Sequence, residues 1–193
     1  MTERRFAHRH VPVYRVVRGR WDDPLDASYS RSAPDRRWNT ADFPALYCCC
    51  SVAVARAVAL DVFRTAGVEM EDLQPDIRPQ LVEIEWRGDV VDMVTEDGVI
   101  AAGFAADYPR GVDRASTRAA AEEWHRAGAE GVCARSASVH RRGYSAWQGD
   151  HRRFGELTID VDNATAKPRL RRRRDDHRWL RARARAQAPT SFA

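Results

Sequence analysis

The stretch ALYCCCSVAVARAVALDVFRTAG, residues 45–67, decides the fold. Residues 44–50 form a short apolar run, the pattern of a buried strand. Ser51 follows as a helix N-cap, because its side-chain oxygen can take an orphan N–H of the first turn. The helix it starts runs to residue 66, and Gly67 stops it in a conformation that glycine adopts without strain. Val54, Val58 and Val62, with Ala55 and Ala59, give this helix an apolar face at helical spacing.

Outward from this unit, residues 11–17 read as a β-branched strand bracketed by Pro12 and Gly19. Residues 18–42 are rich in Gly, Pro, Ser, Asp and charge and read as an ordered loop. A loop of that length in a compact domain is more often functional than idle. Residues 81–86 and 90–94 flank Arg87-Gly88-Asp89 and suggest a hairpin. Residues 95–112 are punctuated by Gly and Pro. Ser116 or Thr117 caps a helix to residue 127, closed by Gly128. Residues 131–134 form a short strand that delivers 135–138; residues 139–153 are loop-like, and 157–161 make a last strand. This order predicts an α+β domain with a largely antiparallel sheet and helices packed on it. No G-x-G-x-x-G follows a strand, so a dinucleotide would not be held in the dehydrogenase manner.

With 193 residues there is room for one domain and a tail. No stretch approaches 18 uninterrupted apolar residues, which argues against membrane attachment. The first ten residues, MTERRFAHRH, carry no apolar run, so the expectation is a cytoplasmic chain. Residues 167–193 hold ten basic and two acidic residues, a charge of +8 within a total of +4, leaving −4 for the rest. Cys48, Cys49, Cys50 and Cys133 show no metal-ligand spacing and read as reduced, packed thiols. The six histidines are scattered, and no metal is expected.

Five segments, taken in order, resemble the RES domain family. They are VYR ending at Arg15, RWN at residues 37–39, LYCCCS at 46–51, VVDMV around Asp92, and GVCARSAS around Ser136. The resemblance covers residues 11–162 and implies a fold like that of ADP-ribosyltransferase domains. It implies a toxin that consumes NAD as substrate and is neutralised by a cognate antitoxin protein. It places Arg15, Arg37, Tyr47 and Ser136 on the dinucleotide, with Arg15, Arg37 and Ser136 also catalytic. A guanidinium fork suits a pyrophosphate, since it gives two parallel charge-assisted hydrogen bonds. The tyrosine ring would pack on nicotinamide or ribose. Plainer roles stand beside these: a structural ion pair for Arg15, a solvated loop position for Arg37, a core tyrosine and a turn-capping serine. Trp38 reads as a core anchor for its loop, and Ser138 is an alternative to Ser136.

Four positions depart from the family pattern. Arg135 stands where the family commonly has proline. Asp35 and Arg36 stand where the family has glycines before the second arginine. The family glutamate, eleven residues after the tyrosine, is Val58 here. Asp61, one helical turn later, is the nearest acidic substitute. Three functions follow. The first is cleavage of the nicotinamide–ribose bond of NAD by hydrolysis, phosphorolysis or ADP-ribosyl transfer. The second is a RES-like pseudoenzyme that binds a nucleotide or partner. The third is weak, nonspecific nucleic-acid association through the basic tail at 163–193. That tail reads as a disordered segment or loose helix, dispensable for folding.

Overall fold

The computed structural model describes residues 6–19, 23–33, 36–69, 72–141, 155–174 and 178–181. Six strands are present among them: β1 (Phe6–Arg18), β2 (Ala45–Cys49), β3 (Pro79–Met93), β4 (Gly131–Arg135), β5 (Gly155–Asp160) and β6 (Arg169–Arg174). The helices are α1 (Val52–Ala66), α2 (Glu96–Ala101), α3 (Arg114–Arg126), α4 (Ala137–Arg141) and α5 (Arg178–Arg181). Every strand pairing is antiparallel except β3 with β4.

The expected hairpin at residues 87–89 is a correction: β3 passes straight through it. Val82, Ile84, Trp86, Gly88 and Val90 are buried, while Glu85, Arg87 and Asp89 are exposed. This two-residue alternation crosses Gly88 without changing phase, which a turn would have broken. Gly88 serves packing instead of turning. A Cβ there would lie 2.4 Å from the Trp86 ring. β1 supplies the continuous partner that so long a strand needs, pairing from Phe6↔Val91 to Arg18↔Pro79.

The other edge of β3 is divided. β6 pairs with residues 81–85 and β4 with residues 91–93. From β4 the ladder continues through β5 to β2, and β2 meets β1 at Tyr14↔Cys49. The strands thus close on themselves. Val13, Val17, Leu46, Cys48, Val82, Ile84, Trp86, Cys133, Leu157 and Ile159 fill the interior. Alternate residues point outward into two further clusters. One gathers Trp38, Phe43, Tyr108, Ala121 and Trp124 over Val91, Met93, Val132 and Ala134. The other gathers α1, Val139, Trp179 and Leu180 over Cys49 and Leu81.

The helix read from residues 51–67 has the expected ends. Ser51 Oγ accepts from the Val54 N–H at 3.3 Å, and Gly67 closes the helix at φ 64°. Its buried face is turned from the expected one. Val54, Ala55, Ala57, Ala59 and Asp61 are buried, and Val62 is 61 % exposed. The cap of α3 is Asp113, whose carboxylate accepts from the Ser116 N–H at 2.7 Å, so the helix starts before Ser116 and Thr117. An aspartate is as good an N-cap as a serine, and here it stands earlier in the chain.

The basic segment after residue 162 also differs from its reading as a loose tail. Leu81 through Glu85 offered an unpaired edge, and β6 covers it. Trp179 and Leu180 are buried against α1, where Arg56 Nε donates to the Trp179 carbonyl at 2.5 Å. The loop expected over residues 139–153 starts instead as helix, since α4 runs to Arg141; residues 142–154 and 182–193 lie outside the described residues. Among the described residues no helix is long and apolar enough to cross a membrane.

Docking of Trp179 predicts a measurable stability term. Truncating a large buried aromatic to alanine removes about 3–5 kcal/mol. Trp179→Ala should therefore lower the urea midpoint without changing the denaturant slope. An unchanged midpoint would show that α5 does not support α1.

Candidate functional site

Alternation along β2 sends Leu46 and Cys48 inward and Tyr47 outward. On β5 it sends Leu157 and Ile159 inward, so Glu156 shares the outward side with Thr158. Register places Glu156 between Cys49 on β2 and Ala134 on β4. The carboxylate therefore rises between two small neighbours, at the seam between the α3-side and α1-side clusters.

The loop before β2 is pinned over this face by one hydroxyl. Tyr47 Oη donates to Asn39 Oδ1 at 2.8 Å and accepts from the Trp38 N–H at 2.9 Å. Asn39 is buried and donates to the Ser30 and Thr40 carbonyls at 2.8 and 3.0 Å. Ser30 Oγ accepts from the Ala45 N–H at 2.8 Å, tying the loop back to the start of β2. Trp38 stacks on Trp124, with centroids 5.5 Å apart, as its reading as an anchor expected.

This pinning brings charge to the phenols. The Arg36 guanidinium lies over the Tyr29 and Tyr47 rings at 5.6 and 5.2 Å. Burial pushes the Tyr47 phenol well above its usual range; the Trp38 N–H and the Arg36 charge oppose this, and Glu156 adds to it. Tyr108 is pushed up to about 12, chiefly by burial, with the Arg37 guanidinium beside it opposing and Glu156 adding. The Glu156 charge thus acts on both Tyr47 and Tyr108, and the Arg37 charge acts on Tyr108.

Ser136 joins them at the end of β4. Its hydroxyl is fully buried, donates to Glu156 Oε1 at 2.5 Å and accepts from the Val139 N–H at 3.3 Å. It is both a cap for α4 and a partner of the carboxylate. Arg135, where the family has proline, donates to the Val94, Ala106 and Tyr108 carbonyls. That positions the segment carrying Tyr108.

The other sequence candidates sit differently. Arg15 is buried and donates to the Pro24 and Asp26 carbonyls at 3.0 and 3.2 Å. Burial lowers its pKa; the nearby Cys48 opposes that and the Arg36 charge adds to it, so Arg15 flanks the group through Arg36. The Asp61 carboxylate accepts from Ser138 Oγ at 3.1 Å and pairs with Arg64 at 3.0 Å, which ties α1 to α4. Ser138, the alternative serine, is thereby engaged with Asp61. Val58 packs in the apolar cluster containing Trp179.

Cys48 and Cys133 are interior residues, and all four cysteines are free thiols. Burial pushes Cys48 up to about 12, so it is no ready nucleophile. Among the described residues no His, Cys, Asp and Glu side chains group as a metal site. Asn39, Tyr108 and Glu156 were missed in the sequence. Asn39 stood within the quoted RWN segment, whereas nothing local marked the other two.

A family model described as the RES domain matches residues 12–167. No curated protein matches the chain. Among solved structures, the chain is similar to one in the M. tuberculosis MbcT–MbcA toxin–antitoxin complex. That similarity has a TM-score of 0.69 at 18 % identity, covering 87 % of this chain and 85 % of the other.

Two outcomes follow from the phenols. Tyr47→Phe strands the Trp38 N–H and Asn39 Oδ1, and an unsatisfied buried partner costs about 1–3 kcal/mol; chemical denaturation measures it. The phenol of Tyr108 is raised to about 12 in the folded state, above an unfolded value of about 10. Its stabilising contribution is full below the unfolded value and is lost as pH rises through the folded one. Tyr108→Phe should therefore lose stability less steeply over that alkaline interval than the unmodified protein. Parallel curves would place Tyr108 in water.

Proposed function

The chain belongs to the RES domain family, and on that premise we propose that it is a toxin that binds NAD and cleaves the nicotinamide–ribose bond. The observation that carries this reading is the grouping of Tyr47, Tyr108 and Ser136 about Glu156, with Arg37 beside Tyr108. A dinucleotide needs cationic groups for its pyrophosphate and an amphipathic surface for its rings. Arg37 is the primary phosphate ligand in this reading. Arg36 and Arg15, whose charges repel, add positive potential that an anion relieves. The guanidinium of Arg15 also holds the loop carrying Asp23 to Ala27 in place.

The half-buried Tyr47 offers its ring to nicotinamide or ribose, while the buried Tyr108 and Ser136 support the site from beneath, Ser136 through Glu156. Asp61 acts at a distance by holding α4, which Ser136 caps. Breaking the glycosidic bond passes through an oxocarbenium-like state, which a nearby negative charge stabilises. The acceptor for the ribosyl group is water, phosphate or a protein side chain. The solved MbcT toxin stands in complex with MbcA, which supports a cognate antitoxin as this chain's protein partner.

Calorimetric titration with NAD tests the binding. Losing a hydrogen bond to a charged group costs about 1.5–3 kcal/mol, so Arg37→Ala should weaken NAD about ten- to hundredfold. Equal affinities for the two proteins would remove Arg37 from the site. Chromatography of nicotinamide released from NAD by the full chain tests the cleavage.

A further inference from the structure

The position that carries the family glutamate cannot supply a carboxylate here. Val58 lies in an apolar cluster, and the nearest acid on α1, Asp61, is engaged by Ser138 and Arg64. We propose that Glu156, hydrogen-bonded to Ser136 from the neighbouring strand, is the catalytic carboxylate of this site. The inference rests on the NAD reading above and deepens it.

Four observations lead to Glu156. It lies on the outward side of β5, flanked across the ladders by the small side chains of Cys49 and Ala134. Its Oε1 accepts from Ser136 Oγ at 2.5 Å. The Val139 N–H occupies a lone pair of the same hydroxyl, which directs the serine proton to Glu156 and fixes the carboxylate. Its charge acts on both phenols of the site, Tyr47 and Tyr108. The carboxylate therefore approaches from β5, where the family places it on the helix after β2.

In the step this implies, the bond between ribose C1′ and the nicotinamide nitrogen breaks. Its electron pair leaves with nicotinamide, which departs neutral, and C1′ carries the positive charge. Glu156 faces that charge. With water as acceptor, an oxygen lone pair forms the new bond to C1′, and the water proton passes to Glu156 and then to solvent. NAD and water become ADP-ribose, nicotinamide and a proton.

The test measures NAD affinity by calorimetry and nicotinamide release by chromatography on the full-length protein. Loss of a positioned acid–base group lowers rate about 10²–10⁴-fold. Glu156→Gln should therefore cut kcat about hundredfold or more, with Kd for NAD and melting temperature close to wild type. Glu156→Ala should regain activity in sodium formate, which a merely structural role would not allow. If Glu156→Gln fails to fold, Glu156→Asp takes its place, with kcat reduced at unchanged Kd. Wild-type turnover retained in Glu156→Gln, or in Glu156→Asp where that stands in, overturns the inference and leaves NAD cleavage standing. Absence of formate rescue also overturns it. Wild-type protein that binds NAD without releasing nicotinamide overturns the catalytic role while leaving binding intact. Wild-type protein that does not bind NAD overturns the NAD reading itself.

Discussion

The uninterrupted pairing of β3 with β1 is the constraint from which the remaining architecture follows. A strand of 15 residues needs a partner for each backbone group on both edges. β1 meets one edge along nearly its whole length. β6 and β4 divide the other edge, and from β4 the ladder returns through β5 and β2 to β1, closing the ring. Within that ring Trp86 takes the space that Gly88 leaves open. A side chain at residue 88 would displace the indole and loosen the interior at its widest residue.

Closure sets what the two outer faces can hold. Because β2 and β5 alternate with period two, burying Leu46, Cys48, Leu157 and Ile159 obliges Tyr47 and Glu156 to point out together. The two outer clusters then cover the face from either side and leave the polar group between them. The same geometry accounts for three consecutive cysteines. They are small apolar fillers that face different compartments, with Cys48 inside and Cys49 against α1.

Buried arginines shape the loops around this group. Arg15 and Arg135 each direct guanidinium donors to main-chain carbonyls, Arg15 to those of Pro24 and Asp26 and Arg135 to those of Val94, Ala106 and Tyr108. A single side chain thereby ties each loop to the strand that carries it. Burial of such a cation is tolerated because its donors are met by carbonyl dipoles, although the desolvation still lowers both pKa values. Arg135 stands where a proline is usual for the family, and it orders the segment of Tyr108 by hydrogen bonding instead of by ring stiffness.

The sequence by itself determined the elements whose signals are local. The helix at residues 52–66 was legible because its cap, apolar spacing and terminal glycine all lie within one short window. Strands β1, β2, β4 and β5 were legible from short apolar runs, and the family from Arg37, Tyr47 and Ser136 in order. What only the tertiary structure decided depends on pairing between distant residues. Gly88 reads as a turn until β1 lies beside it. Trp179 reads as part of a charged tail until α1 offers it a surface. Glu156 reads as one polar residue of an alternating strand until β4 brings Ser136 to its carboxylate. Register between strands that are far apart in sequence is set by the closing of the whole sheet, and no local window contains that information.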